Sequence, residues 1–398
     1  MQFVTQAGGR DGVNSGEGDA PPSNRIEGRA TSLVLAVAFL TGIGLIAIYA
    51  ASSMKGYQQF GDSFLFFRKQ AFGAFVGFAA IAFVALIPFK WIERATVPIL
   101  LAALVALALI FVPGMYTKAG GATRWLALGG LSFQPAELAK IALVMFLAKN
   151  LARPATNLER LWSGLLPNVL VFGLLGALLM VQPDFGSTVL LGMVTLVMLF
   201  SARLPFRFLA ATGGLAIGGF VLAVLAEPYR MARLFSFLDP WSQMRGGGFQ
   251  IIQSYLAFQN GGLLGVGLGE SKQKLFFLPE AHTDFILSVI GEELGLLGVL
   301  LICSLFAFVA WSGFSIAQAQ KENYRKFLAF GLTSLIAFQA MINMGVTMGM
   351  LPTKGIPLPF ISSGTTSLMA FLLVTALLAR LGWDAEKNES HSARLGEQ

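Results

Sequence analysis

Charge is what this 398-residue chain most lacks: Asp, Glu, Lys and Arg make up 12% of it, about half the share in a soluble globular chain. With 55% hydrophobic residues and a mean hydropathy of +0.70, that scarcity excludes an ordinary soluble domain and places the chain in a bilayer. Cysteine is reduced to Cys303. No intrachain disulfide can form, and a lone thiol inside an apolar run reads as small hydrophobic filler. Histidine is nearly as scarce, with two in the chain; His282 has no second His at ligand spacing, so no metal site is legible. The first thirty residues carry Gly, Ser, Asp and Pro and little that is apolar. That composition implies a disordered tail over 1–30 and leaves no cleavable signal peptide at the start. Basic clustering is missing too: the net charge of +7 is spread between apolar segments. Such scatter argues against nucleic acid and suits the anionic headgroups of membrane lipids.

What the chain does have is long apolar runs. A helix crossing hydrocarbon needs about 20 apolar residues, and ten runs qualify, at 31–51, 70–89, 95–113, 136–152, 163–181, 187–202, 207–227, 284–313, 327–350 and 362–382. The expected fold is an all-α polytopic membrane protein with ten transmembrane helices over 31–382, followed by a C-terminal tail at 383–398. An even count puts both termini on one side. Setting that side as cytoplasmic gives short inner segments dense in Lys and Arg, in keeping with the positive-inside rule. A long extracytoplasmic loop, 228–283, then separates spans 7 and 8, and loops of that length are usually functional.

Several polar groups stand out. Glu137 and Lys140 are three apart at the start of the fourth span, where they share a face and neutralise each other; either alone would cost roughly 2.5–3.5 kcal/mol at a bilayer centre. They read as structural or cavity charges. Arg124 and Trp125 precede them on the outer side, Trp125 fitting an interface anchor and a sugar-stacking residue equally. In Gln182-Pro183-Asp184-Phe185-Gly186-Ser187, Asp184 is placed to cap the next helix. In the long loop, Gln250, Gln253, Ser254 and Ala257 fall on one helical face and Ile251, Ile252, Tyr255 and Leu256 on another, as in a helix lying along the membrane surface. The glycine run Gly261–Gly269 lacks the strand and helix of a nucleotide loop. Lys272, Lys274, Glu280, His282 and Asp284 gather before the eighth span, where Asp284 reads as an N-cap or as a reactive acid. Farther along that span, at least one of Glu292 and Glu293 must face protein. Lys354, in a three-proline turn, either snorkels or holds an anion.

Taken together, these segments resemble the SEDS family (shape, elongation, division and sporulation) of polytopic peptidoglycan glycosyltransferases. Gly121-Ala122-Thr123-Arg124-Trp125-Leu126 and Gln134-Pro135-Ala136-Glu137 through Lys140 are similar to the family's G-A-x-R-W-L and Q-P-S-E-x-x-K, with Ala136 in place of serine. Leu278-Pro279-Glu280-Ala281-His282-Thr283-Asp284 and Gly291-Glu292-Glu293-Leu294-Gly295 resemble its most distinctive outer segment. The Glu-Ala-His wording and Leu351-Pro352-Thr353-Lys354-Gly355 are closer to its cell-division branch. Ile361-Ser362-Ser363-Gly364-Thr365-Thr366-Ser367 departs from the family's I-S-Y-G-G-S-S in lacking the aromatic residue and one glycine.

The resemblance implies polymerisation of lipid II into glycan strands at the outer face of the cytoplasmic membrane, during division. It implies Asp284 as the catalytic acid residue, a divalent cation (Mg or Mn) as possible cofactor, and a class B penicillin-binding transpeptidase and other division proteins as partners. Chemistry agrees: the leaving lipid diphosphate is already an anion, so cations can replace the second carboxylate of a glycosidase. Arg124, Lys272, Lys274 and Lys354 are the candidates to hold it, with Trp125, Glu280 and His282 lining the substrate. Two other readings remain open on sequence: a lipid II flippase or transporter, and a non-catalytic division scaffold.

Overall fold

The computed structural model describes residues 28–119, 122–128, 131–153, 161–244, 246–274 and 278–396; residues 1–27, which hold nearly all of the expected tail, and Gly121 lie outside these. Every one of the ten apolar runs falls on a helix: α1 (Arg29–Phe60), α2 (Leu65–Leu86), α3 (Phe89–Leu109), α4 (Pro135–Leu151), α5 (Leu166–Val181), α6 (Phe185–Ser201), α7 (Phe206–Leu225), α10 (Ile286–Ala319), α11 (Asn323–Thr347) and α12 (Thr365–Gly396). Seven of them, α1, α2, α3, α7, α10, α11 and α12, are long and apolar enough to cross a membrane, whereas α5 and α6 are apolar but shorter. Helix α12 runs on through 383–396 rather than ending at 382.

Helix α4 sits at the centre, buried along nearly its whole length and packed against α3, α6 and α11. It is apolar all round apart from Glu137, Lys140 and the polar residues of its last turn, the pattern of a helix surrounded by protein. Helix α7 is the opposite case: Thr212 is its one buried residue, and it touches chiefly α6 and the helix that follows it, α8 (Pro228–Leu238).

The all-α expectation misses one small sheet. Between α3 and α4, β1 (Tyr116–Ala119), β2 (Ala122–Leu128) and β3 (Leu131–Phe133) pair antiparallel in the order β1-β2-β3, with Thr117 opposite Trp125 and Leu126 opposite Phe133. Aromatic and β-branched residues separated by the sequence pairs Gly120-Gly121 and Gly129-Gly130 carry this signal, which the longer apolar runs on either side obscure.

The long loop is ordered into α8 (Pro228–Leu238) and α9 (Phe249–Gly261). Helix α9 packs on α10, and Ile251, Ile252, Ser254 and Ala257 are all buried. Residues of both expected faces are therefore enclosed by protein, which a helix resting on a membrane surface would not show. Ser254 Oγ, 2.6 Å from Ser288 Oγ, joins α9 to the start of α10.

Helix α10, 34 residues long, would extend about 51 Å at 1.5 Å per residue, well beyond a hydrocarbon core of about 30 Å. It is broken at Gly295, with φ 65° and ψ −163°, a conformation open essentially to glycine alone. The amides of Leu296 and Leu297 donate to Gly262 O and Leu263 O, and the carbonyls of Glu292 and Glu293 accept from Val266 and Gly267. The glycine run thus satisfies the backbone groups that the break releases.

Candidate functional site

A cavity of about 800 Å³ opens where β2, the turn before α6, α8, the segment before α10 and the loop before α12 converge. Arg124, Arg230, Arg233 and Lys354 line it together with Asp184, Glu280 and Asp284; Trp125, Phe185, Phe220 and Tyr229 supply aromatic surface.

Asp284 stands half-buried in its wall. Helix α10 starts without any side-chain cap, and among the described residues the Asp284 carboxylate accepts no hydrogen bond, so capping does not explain it. Burial first, and then the Glu280 charge, push its pKa up to about 7 against the opposing pull of Arg233 and Arg124. The carboxyl is thereby tuned near neutrality, where a group can both accept and release a proton. Asp184 behaves differently: its oxygens accept from Ser187 N at 3.1 Å and Ser187 Oγ at 2.8 Å, capping α6 as the sequence implies.

The cations are held in distinct ways. Arg124 Nε donates to Gln182 O at 3.3 Å and its Nη2 to Pro183 O, fixing β2 to the turn before α6. Lys354 Nζ lies 3.2 Å from the centre of the Phe185 ring, a cation–π contact. Burial and the nearby Arg233 and Arg230 bring its pKa down to about 7, partly offset by Asp184. Arg233 donates to Thr353 O at 3.0 Å and Arg230 to Ala223 O at 2.6 Å. These two arginines of α8 were not singled out in the sequence; their three-residue spacing in Pro228-Tyr229-Arg230-Met231-Ala232-Arg233, just after an apolar span, was the available signal.

The family model FTSW_RODA_SPOVE, "Cell cycle protein", matches residues 31–387. This chain is a member of the FtsW/RodA/SpoVE family. Relatives named "Probable peptidoglycan glycosyltransferase FtsW" include one from Geobacter sp. (strain M18), 41% identical over 89% of this chain and 96% of its own length, and one from Geobacter metallireducens, 43% identical over 87% and 92%. A structure described as "Structural coordination of polymerization and crosslinking by a peptidoglycan synthase complex" aligns with a TM-score of 0.74 at 30% identity, covering 89% of this chain and 98% of that one. The crystal structure of Thermus thermophilus rod shape determining protein RodA aligns at 0.66 with 27% identity, covering 89% and 96%.

Within this FtsW/RodA/SpoVE protein, other candidate residues stand away from the cavity lining. Lys274 pairs with Glu293 Oε1 at 3.0 Å, and Lys272 is exposed. Glu292 accepts from Ser271 Oγ, from Gln273 N at 3.2 Å and from Asn260 Nδ2 at 3.2 Å, so both acids of the Gly291–Gly295 motif tie the long loop to α10. His282 is buried edge-on to Phe66, at 5.2 Å between ring centres. Burial and Lys55 lower its pKa to about 4 in spite of Glu280, leaving it neutral. Glu137 and Lys140 form a 2.9 Å ion pair, each 3% exposed in its side chain and outside the cavity.

Among the described residues no group of three or more His, Cys, Asp or Glu is placed to hold a metal ion. Mg²⁺ is nonetheless commonly bound by one or two carboxylates plus substrate phosphates. Asp284 and Glu280, which share the cavity, meet that requirement.

Proposed function

We propose that this family member polymerises lipid II into peptidoglycan glycan strands, with Asp284 as general base. The observation that carries the reading is the cavity itself, in which a carboxylate with no hydrogen-bond partner among the described residues and a pKa near neutrality faces Arg124, Arg230, Arg233 and Lys354. Asp284 takes the proton of the attacking sugar hydroxyl. The hydroxyl oxygen bonds to the anomeric carbon of the second lipid-linked sugar as that carbon's bond to the diphosphate oxygen breaks, inverting the centre. The departing diphosphate is stabilised by the cations, in the manner of preorganised charge, and Trp125 offers a face for a sugar ring. In the alternative form of this reading, Asp284 with Glu280 would hold a divalent cation, Mg²⁺ or Mn²⁺, which would supply activation of the hydroxyl and neutralisation of the diphosphate in place of the base role.

The same reading has ten spans with both termini cytoplasmic and the cavity on the outer face of the cytoplasmic membrane, at the division site. It includes a class B penicillin-binding transpeptidase and other division proteins as partners. Support comes from the FtsW names of the relatives and from the synthase-complex likeness. Glu137 and Lys140, on which a translocation reading would rest, are paired and buried away from the cavity.

The deciding experiment supplies purified protein with lipid II in detergent, where no second compartment exists. Polymer is expected from the native chain, little or none from a folded Asp284→Asn variant, and chelation tests the cation. Full polymerising activity in Asp284→Asn would overturn the assignment.

A further inference from the structure

Two buried amides of α11 stand behind the acid without lining the cavity. Gln339 and Asn343 are four residues apart on one helical face, and they are 0% and 1% exposed. Asn343 Nδ2 donates to Asp284 O at 2.8 Å and to Ile356 O at 2.7 Å. Gln339 Nε2 donates to Pro357 O at 2.9 Å, while its Oε1 accepts from Lys140 Nζ at 2.8 Å.

Polar contacts therefore run from Glu137 and Lys140 on α4 through Gln339 to Pro357 O, and from Asn343 to Ile356 O and Asp284 O, so that α11 reaches both segments that meet at the acid. Where they meet, Gly355 comes so close that a Cβ there would lie 3.0 Å from Asp284 Oδ2. Lys354, the residue before it, places its ammonium over Phe185. The chemistry at 339 is restrictive: the Pro357 carbonyl needs a donor and the Lys140 ammonium an acceptor, and a primary amide supplies both. A buried ion pair is weak evidence for stability, but here it orients a side chain that holds the cavity loop.

We propose that Gln339 and Asn343 are positioning residues that set the Asp284 carboxylate against the Lys354 loop, with Lys140 orienting Gln339. This rests on Asp284 being the base, because transfer between two bound sugars depends on geometry held within about 1 Å.

The test uses the full chain in detergent with lipid II, and it reads both kinetics and amide hydrogen exchange. Asn343→Asp replaces the donor by an acceptor facing two carbonyls; Gln339→Met removes both contacts at similar volume. Each is expected to lower kcat by about tenfold or more with a change in KM under about threefold. Exchange should quicken over 352–363 and 280–285 while the helices stay protected. Asn168→Ala removes a buried amide that donates to Gly164 O and accepts from Asn150 Nδ2, away from the cavity, and should change neither quantity. Where Asn343→Asp does not fold, Asn343→Ser, which keeps one donor, is read in the same way.

Unchanged exchange at both segments, or an equal loss of kcat in Asn168→Ala, would overturn the positioning role. The two ideas separate cleanly. Active Asp284→Asn removes the base assignment whatever α11 does, whereas inactive Asp284→Asn beside fully active α11 variants removes only the positioning.

Discussion

Asp284 and Lys354 are each displaced towards neutrality, the carboxyl upwards and the ammonium downwards, both to about 7 and both chiefly by burial. The reaction as proposed needs Asp284 ionised and Lys354 charged. Activity should therefore rise with pH as Asp284 loses its proton and fall as Lys354 loses its own, a bell whose limbs both lie near 7 in kcat/KM. Lys354→Arg, whose charge persists far above neutrality, should move the alkaline limb up by at least about one pH unit and leave the acid limb in place. Stability carries the complementary sign. A carboxyl whose folded pKa, about 7, exceeds its ordinary 3.8 favours the fold when protonated, so that contribution is complete below the unfolded value and is lost as pH rises through 7. Asp284→Asn should accordingly melt above the native chain at pH 8, by ~2 °C or more, and the difference should vanish near pH 4. A native chain equally stable or more stable than the variant at pH 8 would contradict this.

At the scale of elements, the break in α10 is where the long loop 228–283 is tied into the helix by backbone pairing. Gly295 allows the helix to stop and restart, and the run Gly261–Gly269 fills the gap by backbone pairing. A Cβ at Gly295 would lie 2.4 Å from Gly265 N and 2.5 Å from Leu263 O, in addition to the unfavourable φ. Gly295→Ala is expected to cost about 1–3 kcal/mol from backbone strain alone, with the clash added, measured by thermal unfolding in detergent. Gly298→Ala is the comparison: its new Cβ meets mainly the Leu294 side chain, and it should cost less. In the sequence, Gly261–Gly269 is a glycine run without the strand and helix of a nucleotide loop, and Gly295 is the end of a separate family-like segment. That the two answer one another is not visible in either stretch by itself, because their pairing joins segments about thirty residues apart.

For the molecule as a whole, the cavity's positive charge is collected from separate segments: Arg124 on β2, Arg230 and Arg233 on α8, and Lys354 before α12. Removing the α8 pair as Arg230→Gln/Arg233→Gln should weaken diphosphate binding more than it slows the step at Asp284. The expected result is a rise in KM for lipid II of about 10–100-fold with kcat reduced less, read from polymerisation at varied lipid II. A fall in kcat alone would place these arginines outside substrate binding. Candidate cations near Asp284 in sequence fare unevenly. Lys272 and Lys274 are twelve and ten residues from the acid yet do not line its cavity, and Arg124 and Lys354 are far from it in the chain yet do.

Much of this protein follows from its sequence alone. Apolar length dictates where helices form, because backbone polar groups in hydrocarbon must pair within the segment, and all ten runs became helices. The motifs around Arg124, Asp284 and Lys354 were legible because each puts polar residues at the edge of an apolar run, where burial has to be justified by a partner or a substrate. Tertiary structure alone decided which of those residues share a cavity, that α8 contributes two arginines, and that Gln339 bridges Lys140 and the Pro357 carbonyl of the loop beside the acid. Those are contacts between segments far apart in the chain, and no local pattern of hydropathy or spacing encodes the distance between them.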